Sequence, residues 1–199
     1  MPQKILTDKS VLTEQEFSSL FAKFTIQNPF YSLYSSICNK MATDKVPTIC
    51  VALSRYKNQY NMFYNLEWCS QFSEEELFEI FKHELLHIIL SHLDNRRLTV
   101  HGRLANIAQD LAINCLLNQT YLPKMLLLPG REPFRNFPFG LSSEQYLKLL
   151  MEKQLSEEQI DKIEENVGQH EIDEEVQKNL THCQLTMREK KSLKMTYLT

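Results

Sequence analysis

Long apolar runs are missing from this chain. No stretch approaches the roughly 18 residues needed to cross a bilayer, and the opening residues, MPQKILTDKSVLTEQEF, lack the apolar core of a signal peptide. The expectation is a cytoplasmic protein with no membrane contact. A basic excess is missing as well. Twenty-two Lys and Arg stand against 25 Asp and Glu, a formal net charge of −3, so charge lends no support to a nucleic-acid partner. Patterned cysteines are also absent. Cys38, Cys50, Cys69, Cys115 and Cys183 are an odd number with no CxxC pair, which argues against a disulfide framework. Cys50 and Cys115 sit in apolar surroundings and read as small core residues. No internal repeat is visible.

What is present suits one soluble globular domain with an appendage. The chain has 199 residues, 43% of them hydrophobic and 24% charged, enough to bury a sizeable core. Thr13 to Lys23 reads as a short helix. Residues 28–43, NPFYSLYSSICNKMAT, read as a second, because Phe30, Leu33, Tyr34, Ile37 and Met41 follow helical spacing. After Pro47, the β-branched run Thr48 to Leu53 reads as a strand and Asn61 to Asn65 as another. The polar SRYKNQY between them fits a hairpin with a longer loop. Ser73 and Glu76 form a capping box, with Glu74, Glu75 and Glu76 at the positive end of the helix that follows. That helix is expected to run to about His92. Its apolar residues go most of the way round, so it is expected to be buried. A further helix spans about Arg103 to Leu117, then a Pro- and Phe-rich loop, then a helix at Ser143 to Met151. Beyond residue 151 the composition turns acidic, with eleven Asp or Glu against seven Lys or Arg. The expected organisation is a domain over 1–151 and an acidic, partly helical tail over 152–199, where SEEQIDKIEENV forms an exposed helix.

The stretch that carries chemistry is HELLH, from His83 to His87. Residues four apart on a helix share a face, with an offset of about 40°. His83 and His87 can therefore offer two imidazole nitrogens to one ion. Glu84, rotated by about 100° from His83, lies beside the pair, where a carboxylate serves as general base toward a zinc-activated water. In a chain of this composition HExxH arises by accident in roughly 1–2% of cases, so the motif alone is moderate evidence. The setting adds weight: two His and a Glu inside an apolar helix are costly without partners. Satisfied core hydrogen bonds are the alternative.

A catalytic zinc wants a third protein ligand and an open position. The extended HExxHxxGxxH pattern fails, since Leu90 and Leu93 fill its last two slots. His92 is about 900° round from His83, on the opposite face, and reads as a surface or helix-end residue. Asp94 returns to the face but lies about 11 Å further along than His87, too far unless the helix breaks. The next helix offers NIAQDLAIN, in which Asn106, Asp110 and Asn114 form a polar stripe on an otherwise apolar helix. Asp110 is the candidate third ligand; an ion pair with Arg96, Arg97 or Arg103 is the alternative. Asn106 and Asn114 read as supports for a ligand or as plain interhelical hydrogen bonds.

FKHELLHIILSHLDNRR followed by NIAQDLAINCLL resembles the zincin-like HExxH metallopeptidase domain that usually precedes a von Willebrand A-like domain in bacterial and phage proteins. MFYNLEWCSQFSEEEL upstream and FPFGLSSEQYLKLL downstream fit the same pattern, so the resemblance spans about residues 28–151. It implies an α+β, zincin-like fold with a small β-sheet packed against the HExxH helix. It also implies one Zn2+ held by His83 and His87 with Asp110 completing the site, Glu84 as base, and a peptide or protein substrate. No von Willebrand A-like domain is expected within these 199 residues. His170, in the acidic GQHEID, is a candidate extra ligand or plug as well as a solvated histidine. His101 and Tyr121 are candidates for stabilising an oxyanion, with structural roles as the alternative. A second function class stays open beside the peptidase, a zinc-stabilised binding module with little or no proteolysis. A metal-free helical scaffold is the third.

Overall fold

The computed structural model describes residues 10–54, 59–94 and 102–167. Helix α1 spans Glu14–Gln27, closed at its start by a capping box in which Thr13 and Glu16 satisfy each other's backbone amides. Helix α2 spans Pro29–Ser36 and is followed by strand β1 (Cys38–Ala42). Strands β2 (Ile49–Leu53) and β3 (Tyr60–Tyr64) come next. Then follow the single turn α3 (Leu66–Cys69), the long helix α4 (Glu74–Ile89) and a 3-10 turn at His92–Asp94. Helices α5 (Arg103–Asn114), α6 (Ser143–Lys153) and α7 (Glu157–Val167) complete the order. The arrangement is α+β and zincin-like, with a small sheet against the HELLH helix, as the sequence resemblance implies.

The sheet has the order β1-β3-β2, with β3 in the middle. The β2–β3 pair is antiparallel, from Ile49 opposite Tyr64 to Leu53 opposite Tyr60, which is the expected hairpin. Strand β1 is the departure. The helix expected over residues 28–43 stops at Ser36, and Cys38–Ala42 pairs in parallel with β3, Cys38 opposite Tyr60 and Ala42 opposite Tyr64. Helical periodicity misleads here because Met41 is buried by the sheet and not by a helix face. Phe30 and Leu33, on the supposed apolar stripe, are 61% and 69% exposed. The open edge of β3 offers a full row of backbone partners, and that outweighs a local helical preference.

Alternation along the strands sorts the sheet's side chains into two faces. Ile49, Val51, Met62 and Tyr64 pack with Phe17, Phe21 and Phe24 of α1 and with Leu77, Phe81, Leu85 and Ile88 of α4. Met41, Cys50 and Phe63 form a smaller cluster on the other face. Phe17 stacks on Tyr64, with ring centroids 3.8 Å apart, and meets Phe81 edge-on. On its remaining side α4 gives Leu86 to a second large cluster with Ile107, Ala108, Leu111 and Ile113 of α5 and Tyr146, Leu147 and Leu150 of α6. Helix α4 is therefore enclosed by both clusters, which explains its nearly all-round apolar sequence. Ile160 and Ile163 of α7 are buried in the second cluster too. The helix expected to be exposed thus has a packed face, and Arg103 pairs with Glu157 and Asp161 along it.

One buried carboxylate fastens α4 to the end of α5. Glu79 accepts from Lys82 Nζ at 2.7 Å and from the backbone N–H of Asn118 at 2.9 Å. Hydrogen bonds to a buried charged group contribute about 1.5–3 kcal/mol, and removing the acceptor strands both donors. Glu79→Ala is expected to destabilise the fold by about 2–3 kcal/mol, read as a lower urea midpoint with unchanged slope. An unchanged midpoint would remove Glu79 from the framework.

Candidate metal centre

Helix α4 carries His83 and His87 one turn apart on the side that faces α5, and Asp110 stands in the middle of α5. His83 is 1% exposed, Asp110 4% and His87 7%. The Nε2 atoms of the two histidines are 3.1 Å apart, and Asp110 Oδ1 lies 3.5 Å from His83 Nε2 and 3.2 Å from His87 Nε2. Their ligand atoms all fall within 4.8 Å of one another, so these three side chains could hold one ion. Donors about 2.0–2.1 Å from a tetrahedral zinc are separated by about 3.3–3.4 Å. The observed triangle has edges of that size, and its chemistry, two imidazoles and a carboxylate, suits zinc better than an oxygen-seeking cation.

The orientation of His83 is set by Asn114, one turn beyond Asp110. Asn114 Nδ2 donates to the carbonyl of Leu127 at 2.7 Å, which turns its Oδ1 toward His83 Nδ1 at 2.8 Å. An amide oxygen only accepts, so Nδ1 carries the proton and Nε2 presents its lone pair to the centre. Leu127 belongs to the irregular, Leu-rich loop after α5, whose Leu126, Leu127 and Leu128 are buried against that helix. The loop's packing thereby reaches the site through one carbonyl. Asn114 was legible as part of the polar stripe. Asn106, its other asparagine, is half-buried.

His92 is the residue the sequence placed wrongly. Extrapolating α4 puts it on the opposite face, but the helix ends at Ile89. Leu90 N–H bonds back to Leu86, and Ser91 takes a left-handed conformation with φ of 55°. That conformation costs a non-glycine residue roughly 1–2 kcal/mol, and it reverses the chain so that His92 folds back under the helix. His92 is buried, with Nδ1 at 3.3 Å from His87 Nδ1 and Nε2 at 3.2 Å from Ser143 Oγ. Burial, with His87 alongside, pushes its pKa down to about 4. Burial likewise lowers that of His87, against the opposing pull of Asp110. Both rings are accordingly neutral near pH 7, the form in which imidazole ligates metals.

Glu84 is 1% exposed and follows His83 on α4. Its charge helps raise the thiol pKa of Cys38 in β1 and of Cys69, mainly set by burial, to about 11 and about 12; burial with the same charge pushes the Cys50 thiol of β2 higher still. The same charge acts on His87, where it opposes the effect of burial, so the Glu84 carboxylate is within electrostatic reach of both the buried thiols and the histidine pair. Those three cysteines and Cys115 are free thiols, and the buried three are held protonated, as small core residues are. Tyr121 is exposed. His101, His170, Arg96 and Arg97 lie outside the described residues. Arg103, an alternative partner for Asp110, pairs with α7. No helix among the described residues is long and apolar enough to cross a membrane.

A small sheet against an HExxH helix, with a carboxylate from the next helix meeting both histidines, is the arrangement of a metallopeptidase-type domain. A family model described as "Putative metallopeptidase domain" matches residues 13–192, and the chain belongs to that family. No curated protein and no solved structure matches the chain.

Proposed function

We propose that the protein is a zinc-dependent peptidase in which His83, His87 and Asp110 hold the ion and Glu84 is the general base. The observation that carries this reading is the triangle of His83 Nε2, His87 Nε2 and Asp110 Oδ1, with edges of 3.1–3.5 Å. Buried imidazoles and a buried carboxylate converging on one point are costly unless they pair or coordinate a metal. Zinc, when bound, supplies Lewis acidity, polarising a carbonyl and lowering the pKa of water to about 7. Asp110 adds the one negative charge to the donor set, and Asn114 holds His83 in the ligating tautomer. Glu84 takes the proton from the attacking water and returns it to the leaving amine. A peptide or protein is the substrate, and the cytoplasm is the compartment consistent with the sequence.

A second reading has an observation of its own. His83, Glu84, His87 and Asp110 are all buried, which favours a zinc-stabilised binding module whose ion serves the fold. Elemental analysis coupled to a peptide-library cleavage assay separates the two. The peptidase reading expects about one zinc per chain and cleavage that a chelator abolishes and added zinc restores. One zinc with no cleavage leaves the binding module. No zinc after reconstitution rules out both. Chelation is also expected to lower the thermal midpoint, because binding free energy available only to the folded state is folding free energy. An unchanged midpoint would show that the ion does not engage the folded core.

A further inference from the structure

The geometry points to His92 as a positioning residue for the metal centre, holding His87 in its ligating tautomer and anchoring it through Ser143 to helix α6. This rests on the zinc-site reading above and extends it to a residue outside the HExxH motif. Metal-bound histidines generally donate their second ring N–H to a carboxylate, a carbonyl or water, which fixes ring orientation and tautomer. His87 has instead another imidazole at that position: His92 Nδ1 faces His87 Nδ1 at 3.3 Å.

A hydrogen bond between two Nδ1 atoms needs one N–H and one lone pair. If His87 Nε2 gives its lone pair to the ion, its proton is on Nδ1, and His92 Nδ1 is the acceptor. The neutral His92 then carries its own proton on Nε2, where Ser143 Oγ stands at 3.2 Å to accept it. The bonds therefore run in a single direction, from His87 to His92 to Ser143. Ser143 is buried and is the first residue of α6, just inside the Ser142 cap. The helix is held in turn by Tyr146, Leu147 and Leu150 in the core shared with α5. One ligand is thus tied through Asn114 to the Leu127 loop and the other through His92 to α6. Two separate parts of the fold set the two imidazole planes. The left-handed Ser91 is the turn that makes the second tie reachable, since a continued helix would carry His92 to the far face.

The test uses the full chain and zinc. Zinc affinity is measured by competition with a chromophoric chelator for wild type and His92→Ala, with thermal melts of both as the folding control. The ring nitrogens are read by 15N NMR of histidine-labelled, zinc-loaded wild type, His92 being assigned by its absence from the spectrum of His92→Gln. The expected result is affinity weaker by about 10–100-fold in His92→Ala, and a loaded wild type in which His92 carries its proton on Nε2 and has a bare Nδ1. Merely filling space would not select that tautomer. A folded His92→Ala with wild-type affinity overturns the proposal, as does a loaded His92 protonated on Nδ1. If His92→Ala does not fold, the wild-type spectrum decides alone. A wild type that takes up no zinc removes the metal-site reading itself along with this one, whereas zinc-binding wild type with an indifferent His92→Ala removes this one only.

Discussion

Asp110→Ala is expected to emerge from purification folded and nearly free of zinc, where wild type carries about one ion per chain. Asp110 supplies the charge of the proposed donor set, and its Oδ1 closes the triangle with both Nε2 atoms. Removing it leaves two neutral imidazoles on one helix, which is a weak, open pair. The loss should exceed the roughly 10–100-fold typical of an outer partner of a ligand. The effect on stability separates the two roles that the sequence leaves open for this residue. If Asp110 were a core aspartate serving α5 by pairing, Asp110→Ala would lower stability equally with and without zinc. If it is a ligand, the variant loses mainly the part of stability that added zinc confers, since that part grows with the ratio of free metal to dissociation constant. Asp110→Asn is the informative companion: it keeps the shape and an oxygen but not the charge, and zinc retention between wild type and Asp110→Ala is expected. Wild-type zinc content in Asp110→Ala would eliminate the His83–His87–Asp110 site.

The parts of this centre that were legible in the sequence are those fixed by helical geometry alone. His83 and His87 share a face because they are four residues apart, and Asp110 and Asn114 share another for the same reason. The two faces meet because both helices are otherwise apolar and must pack. What stayed hidden depends on chain reversals and on partners distant in sequence. Nothing in HIILSH announces that the helix ends at Ile89: there is no glycine or proline, and the turn is made by a left-handed Ser91. Angular extrapolation beyond that point sent His92 to the wrong side. Strand β1 stayed hidden because its hydrogen bonds go to β3, and Cys38 pairs with a residue 22 positions on. Among the described residues, the packed face of α7 shows Ile160 and Ile163 set among charged neighbours, too thin a pattern to separate from an exposed acidic helix. Asn114 was visible as a polar residue, but its role needs the Leu127 carbonyl, and no spacing rule connects a helix to an irregular loop.

Glu84→Gln is expected to keep zinc at the wild-type level and to lose about 10²–10⁴-fold in kcat/KM against any peptide that wild type cleaves. The change preserves size and polarity at a position where there is little room, since Glu84 is 1% exposed. It removes the capacity to take a proton and nothing from the metal triangle, so the loss should fall on kcat with KM little moved. That pattern is the opposite of the one expected for Asp110→Ala, in which activity falls in proportion to the zinc lost and returns in part with excess metal. Glu84→Gln activity should not return with metal at any concentration. A zinc-loaded Glu84→Gln that cleaves as fast as wild type would exclude Glu84 as the base.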